Sequence, residues 1–210
     1  MQITEPMTMI TDYLLAAVAI VFSLRLFRIG RSRRQTSVLL WSAAFVAVSV
    51  AALAGGTFHG LTNHLNEVAQ VALWKATVYS IGLASYFMLA GTVGATISRP
   101  LLAWVHVLVL LKFMAFAVWM STHNDFSYVI YDYAPAMVAV LLLAAYSWFK
   151  QRLTSSSWLI AGVLASFAAA ALQLSTIRLH EFFNHNDLYH VVQIGANYLL
   201  FRGAGLLKDR

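Results

Sequence analysis

The chain has 210 residues and a formal net charge of +6, yet only 10% of it is charged and 60% is hydrophobic. Soluble domains carry about 25% charged residues, so the composition points to a lipid bilayer rather than to water. With no cysteine in the chain, disulfides, thiolate metal ligands, iron–sulfur clusters and a cysteine nucleophile are excluded.

A membrane span needs about 20 mostly apolar residues. The hydropathy pattern predicts seven, at 12–28, 38–57, 68–96, 101–120, 133–149, 157–176 and 187–207. The expected fold is therefore an all-α integral membrane protein, a seven-transmembrane-helix bundle forming one domain over 1–210. Short connections make sequential helices antiparallel neighbours. No basic residue precedes the first apolar run, which reads as a retained span and not a cleaved signal. Arg25, Arg28, Arg31, Arg33, Arg34, Arg99, Lys150, Arg152, Arg202, Lys208 and Arg210 all fall at one end of the bundle, and only Arg178 at the other. That clustering explains the net charge without a nucleic-acid partner. By the positive-inside rule it puts the N-terminus outside and the C-terminus in the cytoplasm, in a bacterial inner membrane or its equivalent.

Taken in order, the polar residues gather at the outer end. Before span one, Thr11 or Asp12 suits a helix N-cap; alternatively, Glu5 and Asp12 supply carboxylates to a second, hard cation such as calcium. Span two ends Gly55-Gly56-Thr57-Phe58-His59, where small residues allow close helix packing just as His59 is delivered. Glu67 opens span three, a favourable place for a negative charge against the helix dipole. Lys75 follows eight residues later, roughly 12 Å deeper, and Lys112 lies well inside span four. An ammonium in lipid is costly, so both should face the bundle and meet carboxylates or carbonyls, with Asp12, Asp132 and Asp187 as available partners. A second use for Lys75 is to stabilise a developing oxyanion. Pro135 suits the first turn of span five.

The turn before span seven is the densest stretch: Arg178, His180, Glu181, Asn184, His185, Asn186, Asp187 and His190. Six of the seven histidines, all but His106, fall at the outer end. Asn184 or Asn186 would cap the last helix, leaving His185 free to swing toward His190. His59, His185 and His190, with His180 in reserve, can then reach one level, and three histidines plus a water make an open catalytic zinc site. Zinc would supply hydroxide near neutral pH. Asp187, Glu67 or Glu181 could hold the water or orient a ligand.

A histidine ending span two and a histidine cluster opening span seven, in a seven-span chain with an outside N-terminus, resemble the CREST superfamily of membrane hydrolases and receptors, which includes alkaline ceramidases and progestin/adipoQ receptors. The resemblance implies that His59 is the span-two zinc ligand and His190 the second span-seven ligand. It also implies a calcium site from acidic residues near span one. This sequence departs from the family pattern at Gly55, where a serine stands, near Gln70, where an aspartate is expected, and at Asn186, where the first histidine of His-x3-His belongs; here the histidine is His185.

Three functions compete. One is a zinc-dependent integral membrane hydrolase of a lipid amide or ester, acting at the outer interface on a substrate that enters from the bilayer, with membrane lipids as partners. Another is a non-enzymatic membrane protein whose lysines and acids form a proton or ion path or a polar core. The third is a haem or quinone protein using histidine pairs. The arginine distribution itself is testable: a reporter fused after Arg210 should behave as cytoplasmic, and a periplasmic or lumenal signal would invert the orientation.

Overall fold

The computed structural model describes residues 3–175, 177–180 and 183–210, with Gln151 described by its backbone alone; Glu181 lies outside the described residues. Among them are seven long α-helices: α1 (Pro6–Arg33), α2 (Thr36–Leu61), α3 (Glu67–Thr96), α4 (Arg99–Thr122), α5 (Ser127–Gln151), α6 (Thr154–Gln173) and α7 (His185–Ala204). Helices α1 to α6 are long and apolar enough to cross a membrane. Helix α7 is not among those six, since Asp187, His190, Gln193 and Asn197 dilute its apolar residues.

Two boundaries differ from the sequence reading. Pro6 occupies the first turn of α1, where its fixed φ and missing N–H are harmless. The helix therefore begins a turn and a half before Thr11 and Asp12, and these two are buried on its inner side and do not cap it. Pro135, expected in a first turn, lies inside α5, which starts at Ser127; membrane helices tolerate interior proline because neighbouring groups satisfy the freed carbonyl. The turn into α5 is set by Asp125, whose carboxylate accepts from the Ser127 backbone N–H at 2.8 Å. That bond, then the Ser127 hydroxyl, holds the Asp125 carboxyl below its usual range.

Six of the helices close into a ring, α1 against α2, α2 against α3, α3 against α5, α5 against α6, α6 against α7 and α7 back on α1. Helix α4 packs outside, on α3 and α5, and buries only Val109, Phe116 and Met120. Close approaches set two of the seams. A Cβ on Gly56 would lie 2.8 Å from the Asp12 Cβ, and one on Gly203 would lie 3.0 Å from the Leu159 backbone nitrogen. Larger residues there would push α1 off α2 and α6 off α7.

The ring is solid at its arginine-rich end. Leu26, Trp41, Phe45, Met88, Val140, Leu159 and Leu200 interlock there. The final residues finish this end. Asp209 accepts from the backbone N–H groups of Thr36 at 2.6 Å and Ser37 at 2.8 Å, capping α2 from 173 residues away. The Arg210 guanidinium donates to the Thr96 carbonyl at 3.1 Å, closing over the end of α3.

Both mid-helix lysines find internal partners. Lys112 donates to Asp132 at 2.7 Å and to the Ser85 hydroxyl at 3.2 Å, and Ser85 donates to the other Asp132 oxygen at 2.6 Å. This triad ties α4 to α5 and α3. Lys75 donates to the carbonyls of Met120 and His123, so its charge sits on the C-terminal end of the α4 dipole. Removing one partner of a buried pair strands the other. Asp132→Ala should destabilise the fold by about 3 kcal/mol, while Lys112→Met with Asp132→Leu should recover most of the loss, read as unfolding in detergent micelles. Equal losses in the single and double variants would show that the pair is not coupled.

Candidate functional site

At the end opposite the arginines the ring is hollow. A cavity of about 390 Å³ is lined by residues of all six ring helices. Its walls are mostly apolar, among them Leu15, Val48, Ala51, Ile81 and Phe167, and its mouth holds Asp12, His59, Asn186 and His190. Few but convergent polar groups in an apolar pocket mark a ligand site.

His190 is the centre of the polar mouth. It lies in the second turn of α7, a helix whose start is fixed by a reciprocal cap: Asn184 Oδ1 accepts from Asn186 N at 2.8 Å, and Asp187 Oδ2 accepts from Asn184 N at 2.7 Å. On the opposing α1, the His190 Nε2 faces Asp12 Oδ1 at 3.1 Å and its Nδ1 faces Thr11 Oγ1 at 2.9 Å. The Thr11 hydroxyl has its own acceptors, the carbonyls of Met7 at 3.0 Å and Thr8 at 3.1 Å. Two arrangements satisfy these contacts: the Thr11 hydroxyl donates to Nδ1 and Nε2–H donates to Asp12, or the hydroxyl donates to the α1 backbone, Nδ1–H donates to Oγ1 and one further proton is shared between Nε2 and Asp12.

A second pair stands beside the first. The Thr4 backbone N–H donates to Gly60 O at 3.1 Å, laying the N-terminal segment along the end of α2, and Glu5 Oε2 comes 3.2 Å from His59 Nδ1. His59 is close enough to His190, and Glu5 and Asp187 to Asp12, to interact electrostatically.

The other sequence candidates stand elsewhere. His185 is the first residue of α7, so it is not free to swing; five residues from His190 on a helix, it points about 140° away, and it does not line the cavity. His180 pairs through its backbone with Phe183. Asp187 is buried at 0% exposure, serving the α7 cap, with its second oxygen 3.5 Å from the Thr11 hydroxyl. Glu67 is exposed at the start of α3, and Lys75 is held by the end of α4, neither lining the cavity. Gln70 donates to the carbonyls of Thr62 and Leu65, securing the α2–α3 turn.

Among the described residues, no group of three or more histidine, aspartate or glutamate side chains is arranged to hold a metal ion. Both nitrogens of His190 and Nδ1 of His59 face protein partners in this arrangement. Sequence reasoning missed Thr11 as a histidine partner, and Tyr133, Tyr189, Gln193 and Asn197 as lining residues. The signal for Thr11 was Pro6, which moves the start of α1 and turns the Thr11–Asp12 pair from cap to interior.

Truncation separates the two bonds of His190. His190→Ala leaves the buried Asp12 without its partner and should destabilise the fold by about 2–3 kcal/mol, whereas Thr11→Val removes one neutral bond and should cost about 1 kcal/mol. Thermal unfolding in micelles reads both; a larger loss for Thr11→Val would refute the assignment.

No curated protein and no solved structure matches this chain. A family model does: it is that of the family of unknown function DUF6962, matched over residues 7–209, and the chain belongs to that family.

Proposed function

We propose that the protein is a seven-span membrane hydrolase that holds the acyl chain of a lipid amide or ester in the ring cavity and cleaves the bond at the Asp12–His190 pair. The single observation that carries this reading is the cavity itself: its walls are apolar, and a histidine–carboxylate pair able to relay a proton stands at its mouth. An acyl chain fills such walls, and its carbonyl then sits beside His190. The likeness of His59 and His190 to the histidines of CREST hydrolases supports the same class. In the proposed orientation the mouth opens at the extracytoplasmic face. Exposed lining residues on α5 and just beyond α6, Ile130 at 41% and Leu174 at 79%, give a lipid a path in from the side.

The chemistry needs only groups of this chain. Water beside Asp12 gives a proton to the carboxylate oxygen that His190 leaves open, Oδ2, as the water oxygen bonds to the carbonyl carbon. The carbonyl oxygen gains negative charge, which the Nε2–H of a protonated His59, held through Nδ1 by Glu5, would meet. The carbon–nitrogen or carbon–oxygen bond to the head group then breaks, and the stored proton passes to the departing amine or alcohol. The products are a fatty acid, left in the cavity, and the released head group.

The experiment uses the full chain in micelles with acyl amides and acyl esters carrying fluorogenic leaving groups. Wild type should release the reporter at least 100-fold faster than His190→Ala, the scale of general-base catalysis. Hydrolysis that survives His190→Ala overturns the assignment. Saturable binding without hydrolysis by wild type would favour a non-enzymatic amphiphile-binding protein. Metal analysis runs alongside: about one zinc per chain, lost in His59→Ala, would put a metal centre in place of the direct His190–Asp12 route.

A further inference from the structure

The floor of the cavity is not apolar. Ser166 on α6 and Gln193 and Asn197 on α7 all line it, at 5%, 7% and 1% exposure respectively. Gln193 and Asn197 follow His190 by three and seven residues, so they lie roughly 5 Å and 10 Å further into the bundle along α7.

Their hydrogen bonds fix one another's orientation. The Ser166 hydroxyl has one proton and gives it to the Gly162 carbonyl at 3.0 Å. Toward Gln193 it can therefore only accept, so the group 3.2 Å away is the Gln193 amide nitrogen. The same nitrogen gives its second proton to Asn197 Oδ1 at 3.1 Å. With both amide protons of Gln193 used, the atom it retains for another partner is its carbonyl oxygen, an acceptor. With its oxygen turned to Gln193, Asn197 is left with an amide nitrogen that has no partner. Flipping Asn197 alone would set donor against donor, and flipping Gln193 alone would set acceptor against acceptor. The leftover pair is thus one acceptor and one donor on adjacent turns of a helix, buried where an unpaired amide proton costs about 1–3 kcal/mol.

We propose that Ser166, Gln193 and Asn197 form a deep polar subsite that selects ligands bearing a hydroxyl part-way along the hydrocarbon chain. A hydroxyl is the group that matches the leftover pair, because one oxygen can accept from Asn197 and donate to Gln193. A plain methylene chain leaves both unsatisfied. Ser166 is a positioning residue, since it sets the Gln193 amide without needing to touch the ligand. This inference rests on the cavity being an amphiphile site, and it narrows the substrate class to lipids with a hydroxylated acyl chain.

The test displaces a fluorescent fatty acid from the full chain in nanodiscs. Competitors are stearic acid and a set of stearic acids hydroxylated at successive carbons along the chain. In wild type, affinity should peak for one narrow range of mid-chain positions, about fivefold above stearic acid, the worth of one net hydrogen bond. Asn197→Leu should abolish the peak and leave stearic acid binding equal or tighter. Ser166→Ala frees the Gln193 amide to turn and should blunt the peak without moving it. Stearic acid that competes with no preferred hydroxyl position, or a peak that persists in Asn197→Leu, overturns the subsite while leaving the cavity reading intact. Failure of every fatty acid to displace the probe overturns both. The wild-type scan decides the matter even if a variant does not fold.

Discussion

The ring of helices closes where α7 meets α1, and that closure is polar. At this seam His190 reaches across to Asp12 and Thr11. A carboxylate and an imidazole inside an apolar bundle are tolerated only when each answers the other. The rest of the hollow end follows from this. The cap at Asn184 and Asp187 sets where α7 begins and so the height of His190. Gly56 lets α1 lie close enough to α2 for Asp12 to reach the mouth. The N-terminal strand of residues before α1 then brings Glu5 to His59.

Packing is divided along the bundle axis. Large side chains such as Trp41, Phe45 and Met88 fill the arginine-rich half, while Ala51, Ala52, Gly55, Ala84 and Ala170 face the space at the other. Small residues on facing helices cannot fill a six-helix ring, so a cavity is the expected result. Substitutions in the filled half should act through cavity creation.

Much of the helical architecture was legible in the sequence, because long apolar runs are strong signals. Asn184 as a cap and the internal satisfaction of Lys75 and Lys112 also followed from simple costs. The site was legible only in part. His59 and His190 were singled out by depth and side, and both line the cavity. His185 was grouped with them by proximity in sequence, but once it lies inside the helix its angle turns it away. Asp187 looked catalytic by composition and is tied to a cap. Thr11 and Asp12, expected as caps, lie inside α1 because Pro6 starts the helix a turn and a half earlier, while Asp12 does bring its carboxylate to the outer cavity. Gln193 and Asn197 were visible as breaks in an apolar run. Their roles depend on which proton goes to which oxygen, and that needs the facing serine on α6.

The cap that Asp209 places on α2 has a consequence for biosynthesis. Helix α2 is among the first segments a ribosome delivers, yet the carboxylate that binds the N–H groups of Thr36 and Ser37 lies 173 residues later. During synthesis those N–H groups must be satisfied by water or lipid head groups, and the arginine-rich end stays open until the last helix has been made. Asp209 and Arg210 then close over the ends of α2 and α3. A chain released before Asp209 is made would hold α1 to α7 with the N–H groups at the start of α2 uncapped.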